Sequence, residues 1–317
     1  MGLTSTVRVL LVALVVVVLA AFLPYFVSGY ILGLLTTAFY FAVFAMAWDL
    51  LFGFAGEVNF GPTFLIGVGA YTAGILDNVY QPPIWICIVA GTLAAIIGGV
   101  VLALPALRVR GPYFGLTTLV AVLMLQNYIV VDASLTGGEI GLSVPDVITA
   151  DESLNYQIAL WFMAASGAIL FALSRSPVGL ILQASGQDPV QAGALGFNVT
   201  KHKLVAFVIS ALFSGLAGAL MVFYLSSASV GTFVDVTVGV QIIIAAVIGG
   251  RRTILGAALG AVFIIAAAEI LRSLSTIPIL HPLGELANFI VFAIALVVVL
   301  IFPGGFFGLL TRTRENS

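Results

Sequence analysis

The 317-residue sequence predicts an all-α polytopic membrane protein, on three observations. Hydrophobic residues make up 62% and charged residues only 8% of the chain, whereas a soluble domain carries about 25% charge. The mean hydropathy is +1.24. Apolar runs long enough to cross a bilayer recur from one end of the chain to the other.

Ten such segments can be marked, at roughly 7–27, 30–52, 60–76, 84–104, 113–131, 157–173, 204–225, 237–250, 253–271 and 286–302. The first lies behind Arg8 and has the length of a signal peptide. Pro24 and Tyr25 follow it without a small-residue cleavage pattern, so a retained first span is expected. The third is preceded by Gly53 to Pro62 (GFAGEVNFGP), too glycine-rich and polar for a continuous helix. The eighth is about fourteen residues, short of the roughly twenty needed to cross upright. If spans two to five and seven to ten are repeats, each short segment is the second member of its repeat. A five-span displacement would make the repeats inverted. Paired short or broken segments at corresponding positions mark the pathway in inverted-repeat transporters. Close packing through small residues is the other reading, since Ala211, Gly215 and Ala219, and Gly256 with Gly260, follow i, i+4 spacing.

Basic residues set the orientation. An inside N-terminus places Arg8, Arg108, Arg110, Arg175, Lys201, Lys203, Arg251, Arg252, Arg312 and Arg314 in the cytoplasm and leaves only Arg272 outside. Both termini are then cytoplasmic. The loop of about 132–156 faces out with Asp132, Glu139, Asp146, Asp151 and Glu152.

The longest stretch that is neither span nor acidic loop is 174–203. Ser176-Pro177 and Asp188-Pro189 each pair an N-cap residue with proline at the first helical position. Gly186 and Gly196 stand where a helix would stop on a left-handed residue. The second helix, Pro189 to Leu195, is roughly 10 Å long and would not be stable alone in water. Val190, Ala194 and Phe197 give it one apolar face. That face rests on the protein's own membrane domain or is presented to another protein, and spacing alone leaves both open.

Several chemistries are excluded. The single cysteine, Cys87, allows no internal disulfide, and His202 and His281 lack ligands at metal spacing, so no metal is expected. There is no nucleophile elbow, Cys-His set or paired histidine, so no catalytic residue is assigned. A phosphate-binding loop needs Gly-Lys-Ser/Thr, and Lys201 and Lys203 follow Thr200 and His202. This chain therefore cannot be the ATPase of an ATP-driven machine, though it can be the membrane half of one, and no cofactor is expected on it. The net charge of −2, split among separate loops, gives no nucleic-acid patch. Asp49, Glu57, Asn59 and Glu269 all lie near span ends. The mid-span carboxylate expected of a proton-coupled carrier is missing.

Six motifs in order resemble the permease subunits of branched-chain amino acid ABC importers, of the LivM type, over nearly the whole chain. Asn59-Phe60-Gly61 with Gly67 to Ala73 (GVGAYTA) is similar to that family's S-x-G-x-x-x-F-x-G-x-G-A-Y-T-A. Ala106 to Phe114 (ALRVRGPYF) resembles A-L-R-x-R-G-x-Y-F, and Leu135-Thr136-Gly137-Gly138 with Gly141-Leu142 resembles L-T-G-G-x-x-G-L. Ala194-Leu195-Gly196 through Phe207, then Gly249-Gly250 with Thr253 to Gly256, then Pro303 to Gly308 complete the series. There are departures. Of the E-A-A-x-x-x-G coupling loop only Ala192 and Gly196 remain, with Val190 and Gln191 where Glu and Ala are usual, and Pro62 replaces a polar residue.

The resemblance implies a type II importer-like permease, one membrane domain over 1–317, in the cell membrane. It would import branched-chain or related amino acids, with a urea or short-amide importer and an ATPase-independent facilitator as alternatives. The implied partners are a second homologous permease, two ATP-binding subunits holding ATP and magnesium, and an extracytoplasmic binding protein. Asp188, Pro189, Val190, Ala192, Ala194, Leu195, Gly196 and Phe197 would couple to the ATPase. Gly53, Gly56, Glu57, Asn59, Gly61, Tyr71, Thr136, Gly137 and Gly138 are expected along the pathway, the first group where the chain unwinds.

Overall fold

The computed structural model describes residues 3–27, 29–108, 112–274, 286–301 and 304–305. Of the residues used above, Val109, Arg110, Gly111, His281, Pro303, Phe306 to Gly308, Arg312 and Arg314 lie outside them. The helices are α1 (Leu3–Ala21), α2 (Gly29–Asp49), α3 (Pro62–Tyr80), α4 (Ile84–Ala106), α5 (Pro112–Val131), α6 (Ala133–Thr136) and α7 (Glu152–Arg175). They continue with α8 (Pro177–Gln187), α9 (Pro189–Ala194), α10 (Val199–Leu225), α11 (Val230–Phe233), α12 (Val236–Gly249), α13 (Ile254–Leu274) and α14 (Ala287–Ile301). Two-residue strands β1 (Leu142–Ser143) and β2 (Ser227–Ala228) pair antiparallel.

Seven helices of the described residues are long and apolar enough to cross a membrane, fewer than the ten segments expected. The described apolar parts of the first and last segments are shorter helices, Leu11–Tyr25 and Ala287–Val298. The third segment, α3, falls short in hydropathy because Gly67, Gly69, Gly74, Thr63, Thr72, Asp77 and Asn78 dilute it. Most of α3 is buried against other helices, so lipid does not require it to be apolar. The eighth segment is longer than expected, because α11 and α12 together run Val230–Gly249.

The core is a pair of helices, α2 and α10. Every residue from Ala38 to Leu51 is buried, as expected of a helix apolar on all sides. The pair packs on itself, and each member has its own outer neighbours: α10 has α3 and α4, α2 has α12, α13 and α7. α3 also packs on α4 and α12 on α13, while α5 and α14 flank these two pairs. Small residues decide the contacts. On α4, Cys87, Gly91, Ala95 and Gly99 face inward at every fourth position, and Trp85, Val89, Leu93, Ile97 and Val101 face out. Ala95 lies directly against Gly215 of α10, and a Cβ on Gly99 would stand 2.8 Å from the Ala211 Cβ. This is close packing of membrane helices through small side chains.

The two ends differ. At the acidic end, residues 137–151 are tied to α3 and to the α10–α11 connection. Asn78 Nδ2 donates to Ser143 O at 2.8 Å, the Asp146 N–H to Asp77 Oδ2 at 3.2 Å, and the Val144 N–H to Ser226 O at 3.0 Å. The register pairs Leu142 with Ala228 and Ser143 with Ser227. At the basic end, α8 and α9 project between α7 and α10, next to the break after α2.

Candidate functional site

The projecting segment is built by local capping. Ser176 is extended and its hydroxyl accepts from the Gly179 N–H at 3.4 Å, with Pro177 opening α8. Asp188 Oδ1 accepts from the N–H groups of Val190 and Gln191, both at 2.9 Å, with Pro189 opening α9. Each cap satisfies donors that a helix start leaves orphaned. α9 ends at Ala194, one residue earlier than expected, because Gly196 turns left-handed at φ 88°. The Phe197 N–H then bonds Ala192 O at 3.2 Å and the Gly196 N–H bonds Gly193 O at 2.9 Å. These are the two hydrogen bonds of a Schellman ending.

The apolar face of α9 does not lie on this chain. Val190 is 76% and Leu195 75% exposed, Ala194 and Phe197 are also exposed, and only Ala192 turns inward, at 2%. Cβ atoms at Gly193 and Gly196 would meet nothing within 4 Å. A short helix held by its caps thus offers an open apolar surface.

Gly186 does not stop a helix. It stays within α8, where a Cβ would be 2.6 Å from Phe54 O and 2.9 Å from the Gly56 N. Glycine is needed because α8 lies on the backbone of the break. That break begins as a π-helical turn, Leu50–Phe54, and runs without helix until Pro62. Gly56 takes φ 74°, and its Cβ would sit 2.8 Å from the Gly186 Cα and carbonyl oxygen.

Several polar groups around the break are tied down in turn, although Asp49 Oδ2 is buried without a hydrogen-bond partner among the described residues. Asp49 is fully buried and Oδ1 accepts from the Arg252 N–H at 3.1 Å, while Arg252 Nε donates to Gly53 O at 2.9 Å. Arg252 itself is left-handed at φ 64°. The Arg251 guanidinium lies 4.4 Å from the Phe52 ring centre, a cation–π contact. Trp48 Nε1 donates to Asn59 O at 2.7 Å, and Asn59 Oδ1 accepts from the Gly61 N–H at 2.8 Å. The Phe60 N–H donates to Thr118 Oγ1 of α5 at 3.0 Å. Glu57 pairs with Lys203, at the start of α10, at 2.5 Å, with both side chains less than a fifth exposed.

The nine expected pathway residues therefore fall in three places. Gly53, Gly56 and Glu57 lie at the basic end against α8, α10 and Arg252, with Asn59 and Gly61 next to α5. Tyr71 is buried in mid-α3 with its hydroxyl unpartnered among the described residues. Thr136, Gly137 and Gly138 form a turn at the acidic end, about 28 Å away along α3 at 1.5 Å per residue. There Thr136 Oγ1 donates to Ile129 O at 2.5 Å, and both glycines are left-handed. The structure brings Gly56 and Glu57 onto α8 and the start of α10, and leaves the acidic-end turn apart from them. Sequence reasoning missed Gly186, Lys203 and Arg252 as contacts. Only Arg252 had a signal, the Gly249-Gly250 pair before it. Among the described residues no group of His, Cys, Asp and Glu could hold a metal.

A family profile described as branched-chain amino acid transport system / permease component matches residues 30–300. The chain is 26% identical over 302 residues to the high-affinity branched-chain amino acid transport system permease protein LivM of Escherichia coli, covering 84% of this chain and 70% of that protein. It is 26% identical over 296 residues to LivH of the same organism, covering 84% and 91%. To the probable branched-chain amino acid transport permease protein LivM of Methanocaldococcus jannaschii it is 25% identical over 260 residues, covering 69% and 74%.

Proposed function

The chain belongs to the branched-chain amino acid transport system permease family, and from that premise we propose that it forms the membrane pathway of an ATP-driven importer of branched-chain amino acids. The carrying observation is the α9 surface. Val190, Ala194, Leu195 and Phe197 are open to solvent at the basic end, a few residues before Lys201 and Lys203. Basic loops face the cytoplasm, so this surface and both termini lie where a soluble ATPase can reach them. Each of two ATP-binding subunits, holding ATP and magnesium, docks on one such surface and moves it during closure.

The second permease subunit is a chain of the same family. That two different E. coli permease proteins are each 26% identical to this one supports such pairing. An extracytoplasmic binding protein seats on the acidic end, whose loop is stitched to α3 and to the α10–α11 connection. The packing supports two inverted repeats in a single membrane domain, α2 to α5 and α10 to α14. Exchanging α2 with α10, α3 with α12 and α4 with α13 preserves which helix touches which. The solute passes near α3, where the buried Tyr71 hydroxyl has no hydrogen-bond partner among the described residues, and leaves past the break at Asn59 and Gly61.

Uptake tests the reading. Proteoliposomes holding this chain with its co-purified ATP-binding subunits should import labelled leucine only with a loaded binding protein and internal ATP. Import of urea in place of leucine would move the assignment to a urea importer. Leucine entry without ATP would make the chain a facilitator.

A further inference from the structure

We propose that Glu57 is a coupling residue and does not contact the solute, and that with Lys203 it fastens the break after α2 to the segment that carries α9. The inference rests on the reading of α9 as the ATPase docking helix. Its basis is a continuous set of contacts with few alternatives. Lys203 lies in the first turn and a half of α10, directly after the α9 ending, and reaches Glu57 across 146 residues of sequence. One residue earlier, Gly56 touches Gly186 of α8, backbone to backbone. Both helices flanking α9 therefore grip residues 56 and 57.

The far side of the same short segment is fixed as firmly. The Phe60 N–H is held by Thr118, and a Cβ on Gly61 would fall on the Thr118 carbonyl oxygen. Pro62 then opens α3 and lies 3.6 Å from the Cβ position of Gly239 on α12. Residues 56–61 have no helix of their own to absorb a displacement. A shift of α8 and the start of α10 is passed to the foot of α3 and to α5. An ion pair suits this role because it holds two elements together by charge and permits small sliding, which a packed core resists.

Coupling ratio separates this from a merely structural bridge. In proteoliposomes of the full transporter, leucine imported per ATP hydrolysed is measured for wild type, Glu57→Gln, Lys203→Gln and the exchanged pair Glu57→Lys with Lys203→Glu. Melting temperature and ATPase retention are recorded on the same samples. Glu57→Gln and Lys203→Gln should keep their ATP-binding subunits and hydrolyse ATP, yet lose about fivefold or more in the ratio, the lower range of coupling between sites. The exchanged pair should recover most of it. A wild-type ratio in either single variant overturns the proposal. So does a fall of import and hydrolysis in proportion with a lowered melting temperature, which marks a structural bridge. Loss of the α9 reading itself shows separately, as unchanged ATPase retention when the α9 surface is altered.

Discussion

Ala194→Arg tests the α9 surface most sharply, because the structure separates its cost in the folded chain from its cost in a complex. Ala194 is exposed, and its neighbour Gly193 has open space around it. An arginine here projects into water and changes helix propensity by a few tenths of a kcal/mol at most. In a docked helix the same side chain would be an unpaired charge in an apolar contact. Breaking up a buried charge arrangement costs about 3 kcal/mol or more, which at 1.4 kcal/mol per decade is roughly a 100-fold loss of affinity. Ala194→Ser adds only a hydroxyl, at about 1 kcal/mol, and should keep most of the complex. Ala192→Arg is the folding control: Ala192 is only 2% exposed, so that variant should fail to reach the membrane intact. The assay is the ratio of ATP-binding subunit to permease after affinity purification, with uptake on the same cells. Ala194→Arg at the wild-type ratio and with normal uptake would refute the docking role.

Three further outcomes are expected. With Cys87 replaced by alanine, single cysteines at Ile140 and Gln191, both exposed, should label oppositely with an impermeant thiol reagent in intact cells. Ile140 should react and Gln191 should not, and equal labelling would refute the orientation. At the left-handed Arg252, Arg252→Ala loses the bond to Gly53 and keeps the strain, whereas Arg252→Gly removes the strain. The glycine variant should melt higher than the alanine variant by the equivalent of about 1 kcal/mol, and the reverse order would mean that the left-handed backbone at 252 carries no strain. On α4, Gly99→Leu should block folding, since even its Cβ falls 2.8 Å from Ala211, while Gly98→Leu has only ordinary contacts with Phe64 and Val68 and should be tolerated in a melting assay.

What could be read from the sequence was local. Ser176-Pro177, Asp188-Pro189 and Gly196 announce helix ends through hydrogen bonds within five residues, and the structure has them there. The break at Gly53 to Pro62 was legible for the same reason, being a run of residues poor at helix formation. Gly186 reads as a stop because a glycine needed for a distant backbone contact is identical in sequence to one needed for a turn. Its partner, Gly56, lies on another element altogether. Glu57 with Lys203 and Asp49 with Arg252 join residues 146 and 203 apart, and no periodicity encodes which helix faces which. α3 was readable as a helix and unreadable as to depth, because its composition reflects neighbours in place of lipid.

The cross-packing of α2 also has a consequence in time. Its outer neighbours α12 and α13 begin at Val236 and Ile254, so they do not exist when α2 enters the membrane. At about 5–20 residues per second of synthesis, the Arg252 N–H that binds Asp49 emerges roughly 10–40 s after it. During that interval a carboxylic acid at the foot of an otherwise apolar helix waits without its final partner, and for most of it α10 has not yet been made. The first half of the chain is thus a holding state that only the second half completes, and a ribosome stalled before Arg252 should leave a product open to membrane proteases.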